Sequence, residues 1–143
     1  MLKDQSDILF PVLALGPVSL NADNVPVAVD LNGYEAAMIE IAVGIGGITF
    51  DGSNKIEFKL TDSDNNSDYA AVAAADVQGV TPDTGGIIKS LVAAHAAPTV
   101  TKVGYIGGKR YLKILADFSG THGAATPICV TVVKGRARNI APA

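Results

Sequence analysis

Tryptophan is missing from this chain of 143 residues, aromatics make up only 6% of it, and cysteine occurs once, as Cys129. With so few large rings, the core must be assembled from small aliphatic side chains, which supply much of the 48% hydrophobic content. A lone cysteine excludes an internal disulfide, and between Ile128 and Val130 it reads as a small buried hydrophobe. Positive charge is also short: 11 Lys and Arg stand against 14 Asp and Glu, a net charge of -3. That balance lacks the field on which non-specific nucleic-acid binding depends, so no nucleic-acid partner is expected. Long apolar runs are absent too. Lys3, Asp4 and Asp7 precede a short apolar run broken by Pro11, which is neither a secretory leader nor a bilayer span. No membrane partner and a cytoplasmic origin are expected.

What is present is turn chemistry at intervals of about ten residues. Residues 8–15 read as a strand or arm, with Pro11 at an edge because it cannot donate to a ladder, and Gly16-Pro17 as a break. A short strand is expected over 26–30. In residues 36–43, Ile39, Ile41 and Val43 alternate with Met38, Glu40 and Ala42, the mark of a half-buried strand. Gly44-Ile-Gly-Gly47 then permits a reversal into a strand at 48–50, and Asp51-Gly-Ser-Asn54 a further turn. Lys55-Ile-Glu-Phe-Lys-Leu60 alternates without exception, with Ile56, Phe58 and Leu60 inward. Residues 62–68 form a polar loop, 69–75 read as a short strand despite their alanines, 77–86 as a surface loop, and 87–94 as a strand.

Residues 99–106 and 109–117 are expected to pair as a hairpin about Gly107-Gly108, two glycines being suited to a primed two-residue turn. That register sets Val103 opposite Leu112 and Tyr105 opposite Arg110. It also sets Lys102 against Lys113, which demands an acidic neighbour. Residues 128–134 are the last strand. Eight to ten short strands without strand–helix alternation predict a single all-β domain over 1–143, an antiparallel β-sandwich of jelly-roll type, with arms at about 1–15 and 135–143.

Candidate chemistry is thin. Asp62, Asp64, Asn66 and Asp68 offer oxygens at alternate positions, as calcium prefers, but Ser67 and Ala73 stand where a calcium loop of the EF-hand type requires Gly and Glu. A solvated loop is the better reading, with this calcium site as the alternative. Gly44-Ile-Gly-Gly47 lacks the remaining residues of any phosphate-binding fingerprint. His95 and His122 lie far apart in sequence with no ligand at metal spacing, and read as surface loop histidines. Cys129 with His122 has no visible activating environment, and Ser119-Gly120 is no nucleophile elbow. The chain reads as a non-enzyme without metal or cofactor. Lys134-Gly-Arg-Ala-Arg138 concentrates cations, either as a frayed end or as an arm whose Arg136 and Arg138 grip carboxylates of a neighbouring subunit. Lys109 and Arg110 in the glycine connection join them as candidate partner contacts.

The segments Val103-Gly-Tyr-Ile-Gly-Gly-Lys-Arg-Tyr-Leu-Lys113, Ser119-Gly-Thr-His-Gly123 and Asn139-Ile-Ala-Pro142, with Thr61-Asp-Ser-Asp64 and Tyr69-Ala-Ala-Val72, cover about half the chain. In these it resembles a family of small tailed-phage proteins, the capsid decoration or cement proteins, which includes a jelly-roll member on a short-tailed Bordetella phage. The resemblance implies a virion structural protein made in the bacterial host's cytoplasm and carried on the capsid exterior. Its partner would be the major capsid protein, whose neighbouring subunits it would bridge, and self-association is implied, with a dimer favoured. A head–tail connector or head-fibre base is the nearest alternative. A carbohydrate- or receptor-binding β module is an alternative of another class, for which the scarce aromatics are poor material.

Overall fold

Apolar residues at every second position of the longer strands build two facing sheets in the computed structural model, which describes residues 4–138. The strands are β1 (Phe10–Leu20), β2 (Val29–Asp30), β3 (Tyr34–Val43), β4 (Lys55–Ser63), β5 (Ala70–Ala71), β6 (Val77–Gln78), β7 (Ile87–Leu91), β8 (Thr99–Tyr105), β9 (Tyr111–Ser119) and β10 (Thr126–Ala137). One 3-10 turn, Ala74–Asp76, precedes β6. The first sheet runs β1-β10-β3-β8-β6 and the second β2-β9-β4-β5, with β7 also paired to β4. The pairings are antiparallel. Four strands of each sheet give the orders β1-β10-β3-β8 and β2-β9-β4-β7, so that the long strands follow the chain by stepping from one sheet to the other, as in a jelly roll.

The core lies between the sheets. Ile39, Ile41, Val103, Val130 and Val132 of the first sheet meet Ile56, Phe58, Leu60, Leu112 and Ile114 of the second, and all ten are almost wholly buried. Phe58 is the largest purely apolar ring among them, which fits a core built from aliphatic chains rather than rings.

Several sequence expectations give way here. The pairing of 99–106 with 109–117 does not form: Val103 pairs with Ile39 and Tyr105 with Ala37, whereas Leu112 pairs with Val29 and Asp62. Residues 106–110 cross between the sheets. Lys102 accordingly lies opposite Glu40 and Lys113 opposite Thr61, which removes the like-charge clash. The two glycines have separate reasons. Gly108 takes a positive φ of 74°, and a Cβ on Gly107 would meet the Tyr105 hydroxyl at 2.7 Å.

Gly16-Pro17 does not end the first strand. Residues 10–15, expected within an arm, and residues 16–20 form one edge strand, which absorbs the irregular sequence in bulges between Leu13 and Leu15 and between Leu15 and Val18. No strand forms at 48–50, because β3 is already flanked by β10 and β8. The strand expected over 26–30 shrinks to Val29–Asp30, and that over 69–75 to Ala70–Ala71. Part of the expected loop, Val77–Gln78, pairs with β8. The expected C-terminal arm begins inside β10, whose Ala137 pairs with Tyr34, and the Arg138 N–H donates to the Gly33 carbonyl at 2.8 Å. The rest of that arm, 139–143, and residues 1–3 lie outside the described residues.

Candidate interaction surface

Strand alternation carries Asp62 inward behind Ile56, Phe58 and Leu60, so it belongs to β4 and not to the polar loop. It is 1% exposed. From the opposite sheet the Tyr105 hydroxyl donates to Asp62 Oδ2 at 2.9 Å, and Lys109 Nζ reaches Oδ1 at 3.2 Å. The Lys109 backbone N–H donates to the Tyr105 oxygen at 3.3 Å. Burial, then the hydrogen bond to Asp62, pushes the Tyr105 phenol far above its ordinary range. Asp62 and Lys109, expected in two different sites, are thus partners of each other and pin the crossover between the sheets.

The remaining calcium candidates, Asp64, Asn66 and Asp68, lie in an exposed loop. Asn65 organises it: its Oδ1 accepts from the Ser67 and Asp68 N–H groups, each at 2.9 Å, and its Nδ2 donates to Asp68 Oδ2 at 2.7 Å. Asp62 is turned away into the core. No group of three His, Cys, Asp or Glu side chains able to hold a metal ion occurs among the described residues.

Arg110 forms a bidentate pair with Asp30, both contacts at 2.9 Å, and its guanidinium sits 5.0 Å from the Tyr111 ring centre. The hydrogen bond from Arg110 holds the Asp30 carboxyl below the usual range. Arg136 and Arg138 enter no ion pair among the described residues. Arg136 adopts a positive φ of 54° at the lip of an apolar hollow of about 380 Å³ between Leu9, Met38 and Val133. The four candidate cations therefore do not gather into one patch by their ion pairing: two are occupied within the chain, and two sit at the end of β10.

Sequence distance concealed the histidines' association. His95 stacks on Phe50 with ring centres 5.9 Å apart, and His122 packs edge-on against Phe118 at 4.8 Å and tilted against Phe50 at 6.3 Å. Each donates an Nε2–H to a backbone carbonyl at 2.9 Å, that of Gly44 for His95 and that of Ser119 for His122. Their Nδ1 atoms are buried without a partner among the described residues, as is Thr126 Oγ1. Both rings are half-buried packing elements rather than free surface groups. Cys129 points to the outer face of the first sheet, between the inward Ile128 and Val130, and is half-exposed rather than buried. His122 packs on Phe118 of the second sheet, so the two do not form a dyad.

The outer faces of the two sheets differ in kind. On the second, Lys55 pairs with Glu57 at 2.5 Å and Lys59 with Asp117, while Lys113 lies over the Tyr69 ring at 4.3 Å, so this face is charged and four of its charges are paired. The hydrogen bond from Lys59 to Asp117 raises the lysine's pKa. On the first, the outward positions of β3 are Ala36, Met38, Glu40 and Ala42, and those of β8 are Val100, Lys102 and Gly104. The neighbouring β10 adds Pro127, Cys129, Thr131 and Val133. Only Glu40 and Lys102 carry charge among these positions. A second hollow of about 540 Å³ opens beside Ala42, Val100, Pro127 and Cys129. At its margin β1 exposes Val18, and Val100 is 71% exposed. Thr131, Glu40 and Lys102 form one polar row across this face, and the apolar positions on either side of it make it the candidate interaction surface of the molecule. Comparison of the chain with protein-family models, with curated proteins and with solved structures finds no match.

Proposed function

We propose that the protein is a non-enzymatic virion component of the decoration, or cement, type, which binds the outside of a tailed-phage head and bridges major capsid subunits. The observation that carries this reading is the contrast between the faces of the sandwich: one rich in charges, most of them paired, the other largely apolar with one polar row, Thr131, Glu40 and Lys102, across it. A fold that leaves a sheet face of small aliphatic residues in water is suited to being covered in an assembly. The similarity of its glycine connection and adjoining loops to decoration proteins supplies the kind of assembly. β1 also supports the reading, since Leu9, Phe10, Val12, Leu13 and Val18 are exposed along one margin.

A protein that binds the assembled lattice and not the free subunit stabilises the shell by mass action, and weak contacts repeated over the lattice act together. The decisive assay is co-sedimentation with expanded empty shells, compared with binding to the isolated major capsid subunit. Retention by shells in hundreds of copies, without subunit binding, is expected. Decoration confined to one vertex would replace this reading with a connector or fibre base.

A further inference from the structure

Of the four lateral edges of the two sheets, three are closed by their own devices. β1 is blunted by Pro11, by Pro17 and by its two bulges. Beside β2, side chains stand in for a strand along β9: Asn24 Oδ1 accepts from the Ala116 N–H at 2.7 Å, Asn24 Nδ2 donates to the Ile114 carbonyl at 3.2 Å, and Asp23 Oδ1 accepts from the Phe118 N–H at 2.7 Å. On the far side of β4, β5 is two residues long and β7 is met by the segment before it, Asp83 and Ile87 exchanging backbone hydrogen bonds at 3.0 and 3.3 Å. The fourth edge, along β8, is open among the described residues. There β6 covers Gly104 and Tyr105, after which Gly79, at a φ of 90°, turns the chain toward β7.

The Ile106 N–H donates to the Asp76 carbonyl on this side of β8, so the even-numbered residues of the strand aim their backbone groups at this edge. Past Gly104 these are Lys102 and Val100, and neither meets a backbone partner there among the described residues. Residues 99–102 contain no proline and no bulge. We propose that this edge is a docking site for an extended segment of a partner chain, which continues the line of β6 and pairs antiparallel with residues 99–102. The inference rests on the assembly reading above: the segment is an arm of the capsid subunit, added at the margin of the sheet rather than on its face.

The rows across the sheet define what the arm carries. Thr131, Glu40 and Lys102 lie in one row, and Lys102 enters no ion pair among the described residues, so the position beside it calls for a carboxylate. Cys129, Ala42 and Val100 lie in the next outward row, along the hollow of about 540 Å³, so the position beside Val100 calls for an apolar side chain. Read along the arm, the pattern is acidic, small, apolar. A second copy of this chain fits poorly. With Lys102 set against Val100, Thr99 of the other copy would fall in the space that Gly79 fills beyond Gln78, and with Val100 against Val100, Pro98 would face Lys102 with no N–H to give. The ladder offers about four backbone hydrogen bonds, so each contact is weak and acts through its repetition over the lattice.

The test offers the full chain a peptide, acetyl-Glu-Thr-Val-Thr-amide, at millimolar concentration and follows backbone amides by nuclear magnetic resonance. Slower hydrogen exchange at the Val100 and Lys102 amides is expected, with those of Thr101 and Val103, already bonded to β3, unchanged. The same peptide N-methylated at its glutamate and valine should not bind. V100P, which removes an N–H aimed at the open edge and none from the ladder with β3, should bind the parent peptide about tenfold more weakly. K102E should prefer a peptide with lysine in place of glutamate. Circular dichroism checks that both variants fold, and the N-methylated peptide tests the edge without altering the protein. Val100 and Lys102 amides left unprotected by the peptide, or binding that survives N-methylation, would overturn the docking site. Hydrogen exchange of shell-bound protein reads residues 99–102 directly. Shell binding without protection there would remove this inference and leave the cement reading, and a peptide-binding edge on a protein that ignores shells would do the reverse.

Discussion

Replacing Tyr105 by phenylalanine removes one oxygen from the contact between the sheets and leaves the ring in place. The lost hydroxyl donates to a carboxylate, Asp62, that is 1% exposed, and accepts from the Lys109 backbone. A hydrogen bond to a charged group contributes about 1.5–3 kcal/mol, and an acceptor left buried without its donor costs a similar amount. Asp62 keeps Lys109, so we expect Y105F to cost about 2 kcal/mol, or about 6–8 °C in Tm for a chain of this length. Asp62→Ala should cost about 3 kcal/mol, because it strands the phenol and deletes the carboxylate at once. The double variant should cost little more than D62A alone, a coupling of about 2 kcal/mol, since removing both partners leaves neither unpaired. Urea unfolding at micromolar concentration, followed by circular dichroism, supplies the three differences. Additivity to within about 0.5 kcal/mol would refute the claim that the two groups depend on each other.

Alkaline unfolding gives an independent reading of the same phenol. Its folded pKa is raised, so its stabilising contribution is complete below about pH 10, where an unfolded tyrosine begins to ionise, and declines as pH rises further. Urea midpoints should fall above that pH in the parent and less steeply in Y105F. At the exposed Arg110–Asp30 pair, R110A should lower the urea midpoint slightly at low salt and leave it nearly unchanged at high salt. Because the folded Asp30 pKa is lowered, that contribution should be present at neutral pH and vanish as pH falls through the lowered value, which pH-dependent unfolding of parent and R110A would reveal. Gly86→Ala should cost about 3 kcal/mol or prevent folding, since Gly86 has a φ of 80° and an added Cβ would meet the Leu60 carbonyl at 2.4 Å. An unchanged urea midpoint for G86A would contradict that backbone approach.

Which residues face inward was legible in the sequence, and which sheet they belong to was not. The alternation of Ile56, Phe58 and Leu60 told their burial correctly, as did that of Ile39, Ile41 and Val43. Period two reports a face but carries no information about the neighbouring strand, and Gly107-Gly108 suits a tight reversal or a crossover equally. Jelly-roll connectivity itself argues for the crossover, because its consecutive long strands step between sheets. The polar cluster left a signal that was readable: following the inward positions two residues beyond Leu60 reaches Asp62, and two beyond Val103 reaches Tyr105. Two inward polar residues at strand ends call for each other. For Phe50 with His95 and His122 no such signal exists, since long-range packing of loops has no local period. The outer row of β3 and β8 likewise becomes visible only once their register is known.

β1 and β10, the first and last strands, lie side by side and antiparallel, with Phe10 beside Lys134. Both ends of the folded region therefore leave from the same end of one ladder. Tension between those ends would open that ladder rung by rung, as a zipper opens, and would not load its hydrogen bonds together. Force applied through a sheet face would not load that ladder in this way, whereas force applied through the two ends would open it by peeling.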